Sequence, residues 1–251
     1  MSKTIIVFPF WKDSKHVGNY RVENFIRYLK KMGHEIVVVS AGNEKLIKKQ
    51  KDYTEIIIKD PLGIHRKSIE SKNEFKIRKP NKFRRELAYL LLIPDPSIVW
   101  AFLVYNNKDV AEHCKNADFI ISTSPPESSH IVSYFLARKY NLKLVIDMRD
   151  GWLDEPLKPV LRKNKWRQFV EEKQEKKTLS LAHTIFVTSE NWRELLIKRI
   201  PEVKNIVFIL TNGYPIFFNN TKQETPYHSI NLVHTGRFTG SSSLRQMSLL
   251  F

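Results

Sequence analysis

The stretch from Ala117 to Trp152 leaves this chain few ways to fold. Phe119-Ile120-Ile121 is a short apolar run that ends in Ser122-Thr123-Ser124-Pro125-Pro126. A helical segment follows from about Ser128 to Tyr140, and a second apolar run spans Leu142 to Ile146. Short continuous apolar runs separated by a helix read as strands buried on both faces, the parallel type. Polar residues crowd the carboxyl ends of both runs, the second ending in Asp147-Met148-Arg149-Asp150-Gly151-Trp152. In open α/β sheets ligands bind in the crevice outside those ends.

The same alternation recurs along the chain. Ile5 to Phe8 reads as a first strand and Pro9 to Lys15 as a loop. Gly18-Asn19 opens a helix in which Val22, Phe25, Ile26 and Leu29 recur at helical spacing. Lys30-Lys31 suit its dipole and Gly33 ends it. Strands are expected at Ile36–Val39, Thr54–Ile58, Thr184–Val187 and Ile206–Leu210. Lys59 to Asn81 reads as a long basic loop, and Phe83 to Ile93 as a helix with Leu87, Leu90 and Leu91 on one face. Pro94-Asp95-Pro96-Ser97 breaks it, and Ser97 is expected to cap one further helix to about Cys114. Leu161 to Leu181 is a long charged helix with Trp166, Phe169 and Val170 as its expected core contacts. Ser189 caps Glu190 to Ile200. The fold class is α/β, a Rossmann-like parallel sheet with helices on both faces. Residues 1–215 form one domain, 216–229 have linker composition, and Ile230 to His234 begins a new α/β unit.

Charge narrows the function. Lysine and arginine number 42 against 26 acids, a net +16. That excess favours an anionic partner such as a phosphorylated substrate or an anionic membrane surface. No zinc-finger or RNP-type motif accompanies it, so nucleic acid is not the expected partner. Cys114 is the only cysteine, and the histidines lack spacing to a second ligand, so no metal site is expected. No Gly-x-Gly-x-x-Gly loop is present and no cofactor is implied. No apolar run approaches the roughly 20 residues that span a bilayer.

Four segments carry a family likeness. They are Gly18 with its helix followed by Lys31-Met32-Gly33-His34-Glu35-Ile36-Val37-Val38-Val39; Ile121 to Pro126 together with Asp147 to Trp152; Thr211-Asn212-Gly213-Tyr214; and Leu232-Val233-His234-Thr235-Gly236-Arg237-Phe238. In this order they resemble the amino-terminal half of GT-B glycosyltransferases, close to the family-4 retaining enzymes of bacterial cell-surface polysaccharide synthesis. The resemblance implies an acceptor-binding lobe, a linker, and at 230–251 a truncated start of the nucleotide-sugar lobe, without that lobe's Glu-x7-Glu motif. It implies transfer of a sugar from a nucleotide donor to a lipid-linked or polysaccharide acceptor. The implied location is cytoplasmic, peripheral at the inner face of the membrane, as in capsule or O-antigen assembly. The alternative is a non-catalytic module that holds an anionic glycolipid, a membrane surface or a partner subunit through the basic loop.

The resemblance also points to site residues. Asp150 is the candidate catalytic or acceptor-orienting group, and Arg149 binds an acceptor phosphate or holds Asp150. Equally, Asp147, Arg149 and Asp150 form a structural ion-pair network. Gly18 and Asn19 place helix-start N–H groups near an anion, and Arg21 pairs with an anionic acceptor or is solvated. Thr123 and Ser124 offer hydroxyls to an acceptor sugar. Trp152 stacks on a pyranose or packs in the core. Gly236 and Arg237 match the donor-phosphate position, where cations offset the charge growing on the leaving diphosphate.

Overall fold

A computed structural model describes residues 2–12, 18–64, 82–154 and 164–213. These build one eight-stranded sheet in the order β3-β4-β2-β1-β5-β6-β7-β8. The strands are β1 (Lys3–Val7), β2 (Glu35–Gly42), β3 (Leu46–Lys49), β4 (Thr54–Lys59), β5 (Phe119–Ser124), β6 (Lys143–Met148), β7 (Thr184–Val187) and β8 (Val207–Ile209). All pair in parallel except β3, which lies antiparallel on β4. The helices are α1 (Gly18–Lys31), α2 (Lys82–Leu91), α3 (Ile98–Tyr105), α4 (Lys108–Lys115), α5 (Ser128–Tyr140), α6 (Lys165–Ser180) and α7 (Glu190–Arg199). A short 3-10 helix, Pro201–Ile206, leads into β8.

The apolar runs become the central strands for the expected reason. Ile5, Ile6 and Val7 of β1, Val37 to Val39 of β2 and Ile120 of β5 lie in contact with no water. Alternation along each strand sends residues to two separate cores. Ile6, Val38 and Ile121 pack under α1 with Val22 and Ile26, while Ile5, Val37 and Ile120 join the larger core with Trp100, Leu136 and Leu179. Helices therefore cover both faces, with α1 alone on its side among the described residues. Local signals set the helix ends. Gly33 at φ +81° follows α1, Asn141 takes the left-handed conformation at the end of α5, and the Ser189 hydroxyl accepts the Trp192 N–H at the start of α7.

One strand goes beyond the expected elements and two expectations are corrected. Leu46 to Lys49 form the exposed edge strand β3, which pairs with Thr54 to Ile57 as a hairpin. The helix expected from Ser97 to Cys114 is two helices. Ser97 makes no side-chain cap; its N–H is taken by Asp95 at 2.8 Å, and Asn107 restarts the chain as α4 by accepting the Asp109 and Val110 N–H groups. On α6 the expected face is reversed: Trp166 is 62% and Phe169 47% exposed. The buried side is Arg167, Glu171, Glu175 and Thr178, because ion pairs to neighbouring elements take the inward positions. The basic loop lies largely in 65–81, and the linker and the 230–251 unit follow Gly213; all fall outside the described residues.

Candidate active site

Strand order reverses between β1 and β5, because β1 leads by α1 to β2 on one side while β5 lies on the other. Such a switch point opens a crevice at the carboxyl edge of the sheet. Val7, Ser124 and Met148 end three adjacent strands there, and Gly18 begins α1 above them. The sequence thus delivers polar loops to one edge because every connection in this region returns a parallel strand.

A buried ionic strut organises that edge. Thr123 and Asp147 are register partners on β5 and β6, and so share the α1 face. Asp147 is fully buried and Arg21, in the first turn of α1, is 8% exposed. Arg21 Nε donates to both carboxylate oxygens at 2.9 and 2.8 Å, and Nη2 donates to Oδ1 at 2.6 Å. The Thr123 hydroxyl donates to Oδ2 at 2.7 Å. The remaining guanidinium protons go to the loop after β8: the carbonyl oxygens of Leu210 and Thr211 at 2.8 and 3.2 Å, and Asn212 Oδ1 at 3.1 Å. One arginine therefore ties α1, β6 and the Thr211-Asn212-Gly213 segment together.

Arg149 supports the neighbouring loop. Its Nε donates to the Ser124 carbonyl at 2.7 Å and Nη2 to the Pro125 carbonyl at 3.2 Å, with the guanidinium 5.4 Å from the Phe8 ring centre. Burial draws its pKa below the usual arginine range, and Asp147 and Asp150 act against that shift. The start of α5 is fixed from a third direction. Asp95 accepts the Ser128 N–H and hydroxyl, both at 2.9 Å. Beneath the rim, His130 Nδ1 meets the Ser122 hydroxyl at 2.7 Å, and Trp152 lies 6.0 Å from the imidazole.

The rim thus gathers Gly18, Asn19, Arg21, Thr123, Ser124, Arg149 and Asp150 at one edge, in different states. Arg21, Thr123 and Ser124 are buried, whereas Asp150 is exposed and faces a cavity of about 1030 Å³. Arg149 and Asn212 also line it, and Phe25, Phe119, Ile121 and Phe186 give it apolar walls. Trp152 is only 1% exposed and is part of the core, so it offers no face to a sugar. The expected network of Asp147 with Arg149 and Asp150 is different in fact: Asp147 pairs with Arg21, 126 residues away. An acid directly after the apolar run Leu144-Val145-Ile146 and before Met148 was the available signal for a buried partner, since such a charge is stable only when paired. Asp95 gave no comparable signal. Gly236 and Arg237 lie outside the described residues. Among the described residues no three histidine, cysteine or acidic side chains gather to hold a metal ion.

This edge can position an anion or a polyhydroxylated ligand. It presents one solvated carboxylate beside a fixed guanidinium and a helix start, with Arg21, Asp147 and Thr123 already bonded to one another beneath it.

Comparison with known proteins agrees with this geometry. No curated protein matches the sequence. Among solved structures, sucrose-phosphate synthase from Thermosynechococcus elongatus shares the fold at a TM-score of 0.55 and 15% identity. The match covers 85% of this chain and 49% of that one, so the chain spans about half the length of that protein. The family model "Glycosyltransferase Family 4" matches residues 18–215, a span that runs from the first residue of α1 past the Asn212 loop. With its Rossmann-like sheet of the GT-B type, the chain belongs to Glycosyltransferase Family 4.

Proposed function

We propose that residues 1–215 are the acceptor-side lobe of a retaining glycosyltransferase, that 216–229 link it onward, and that 230–251 begin the nucleotide-sugar lobe. The reaction moves a sugar from a nucleotide diphosphate to a hydroxyl of a lipid-linked or polysaccharide acceptor at the inner membrane face. The bond from the anomeric carbon to the phosphate oxygen breaks as the acceptor oxygen bonds to that carbon. The diphosphate leaves with the electron pair, and the acceptor's proton passes to it or to Asp150. Gly236 and Arg237 are assigned to the donor phosphates from the sequence pattern. Gly18, Asn19, Thr123 and Ser124 shape the acceptor rim, with Arg21 as a positioning residue held by Asp147.

The observation that carries this reading is the exposed Asp150 carboxylate beside Arg149, on a cavity where Arg21 is already paired with Asp147. A general base or orienting group must reach the substrate, and Asp150 is the exposed acid that lines this cavity among the described residues. The test is transfer of radiolabelled sugar from a panel of nucleotide donors into a membrane lipid extract. Asp150→Asn is expected to lower kcat at least about a hundredfold with unchanged thermal unfolding. Equal rates in wild type and Asp150→Asn would remove the assigned role. Tight acceptor binding with no transfer from any donor would favour the non-catalytic module.

A further inference from the structure

Every residue of α3, from Ile98 to Tyr105, is apolar or aromatic. A helix apolar on all sides is normally enclosed on all sides. Trp100, Ala101 and Val104 do face the core, but Phe102 is 67% exposed and Leu103 is exposed beside it. Eight residues reach about 12 Å, far short of a bilayer's apolar thickness. Among the described residues, nothing gives the outer side of α3 the cover that its composition calls for.

Ring contacts carry this exposed side onto α5. Phe102 and Tyr105 are three residues apart and so share one side of α3. The Tyr105 ring centre lies 6.0 Å from that of Phe135, and Phe135 lies 5.1 Å from Tyr134, both edge-on. Phe135 is 46% exposed. Cations border the rings. Lys139 lies over the Tyr105 ring at 5.0 Å, and Lys177 of α6 over Tyr134 at 5.9 Å. Arg138 lies 5.7 Å from the Tyr134 ring centre and donates to its hydroxyl at 3.0 Å. Neither α3 nor α5 contains an acid. The acids of the neighbouring α4 are already paired, Glu112 with Lys115 at 2.8 Å and Asp109 with Lys45 at 2.5 Å. Glu172 of α6 accepts from Gln168 at 2.8 Å.

Apolar side chains at the centre and unpaired charge of one sign at the border define what fits. A two-fold contact between copies of this chain would set the face on itself and bring Lys139 and Lys177 against their own kind, which costs energy. A nucleic-acid base needs an open ring face to stack on, and here cations already lie over Tyr105 and Tyr134. What remains is a protein surface with an apolar centre and an acidic rim, the usual anatomy of an interface with its charges complementary. We propose that the outer side of α3 and the second half of α5 dock another protein, through an acidic segment whose apolar side chains cover Phe102, Leu103 and Phe135. The chain enters α5 from the carboxyl end of β5 and leaves it for the amino end of β6. Arg138 and Lys139, in the last turn of α5, therefore lie toward the edge opposite Asp150, so the partner leaves the candidate active site open. The proposal stands apart from the functional reading.

The experiment titrates the full chain into two fluorescein-labelled synthetic helical peptides and reads anisotropy. Both carry leucine and phenylalanine along one side; one has glutamate on the flanks and the other lysine. Wild type is expected to bind the glutamate peptide at least about tenfold more tightly than the lysine peptide. Phe102→Ser/Phe135→Ser is expected to weaken that binding at least about tenfold through lost apolar burial. Because Phe135 touches Tyr105 and Tyr134, a second variant, Lys139→Glu/Lys177→Glu, changes only exposed side chains. It is expected to keep the wild-type unfolding temperature and to reverse the preference toward the lysine peptide. Failure of wild type to bind either peptide overturns the proposal, as does equal affinity for the two. Charge-reversed protein that binds like wild type overturns it as well. So does self-association, or binding to single-stranded oligonucleotide or phosphatidylglycerol vesicles, that Phe102→Ser/Phe135→Ser abolishes while peptide binding persists, because the face would then serve copies, nucleic acid or lipid.

Discussion

Asp147 shows how much one side chain can hold in place. It is fully buried and paired with Arg21, so losing either partner strands a charge away from water. Asp147→Asn is expected to cost about 3–5 kcal/mol in urea unfolding, as broken buried pairs do. Replacing both residues by apolar ones of similar size should recover much of that loss; a single-variant cost near zero would mean the strut is ornamental. Cys114 tests burial differently. Burial pushes its thiol from 9.0 up to about 12, with Lys139 and Lys3 acting weakly against it. The folded state therefore favours the protonated thiol, and the linked stability is present below pH 9 and lost as pH rises toward 12. At pH 8 an alkylating reagent should leave Cys114 unmodified in the native protein and modify it in guanidinium. Both cases mark a limit of sequence reading. Arg21 and Asp147 each stood out as charges, yet nothing local joins two residues 126 positions apart.

At the scale of elements, periodicity located nearly every strand and helix, and its failures share a cause. It finds an amphipathic pattern without saying which way the pattern faces. On α6 the aromatic stripe was real, but the buried ion pairs with Glu171 and Arg199 turned it outward. The break between α3 and α4 depended on Asn107, whose value as a cap appears once the chain has turned there. Gly151 is a comparable local constraint in the loop after β6. A Cβ there would collide with the six-membered ring of the Trp192 indole. Gly151→Ala should displace that indole and cost about 1–3 kcal/mol, the usual range for overpacking, read as a lowered melting temperature. An unchanged melting temperature would show that α7 yields freely.

Across the whole molecule the sheet sets the order of stability. Hydrogen exchange is expected to be slowest in β1, β5 and β6, which are flanked by strands on both sides, and fastest in β3, an exposed edge strand with one neighbour. Rapid exchange in β5 would contradict the assignment of the site to a rigid edge. The sequence by itself determined the α/β alternation, the parallel strands and the crowding of polar residues at their carboxyl ends, because continuous apolar runs and helical spacing are local properties of the chain. Tertiary structure alone decided which charges meet. It closed Arg21 onto Asp147, buried Trp152, left Asp150 in solvent and turned Trp166 and Phe169 outward, because the energy of a charge or an aromatic ring depends on neighbours that arrive from distant parts of the chain.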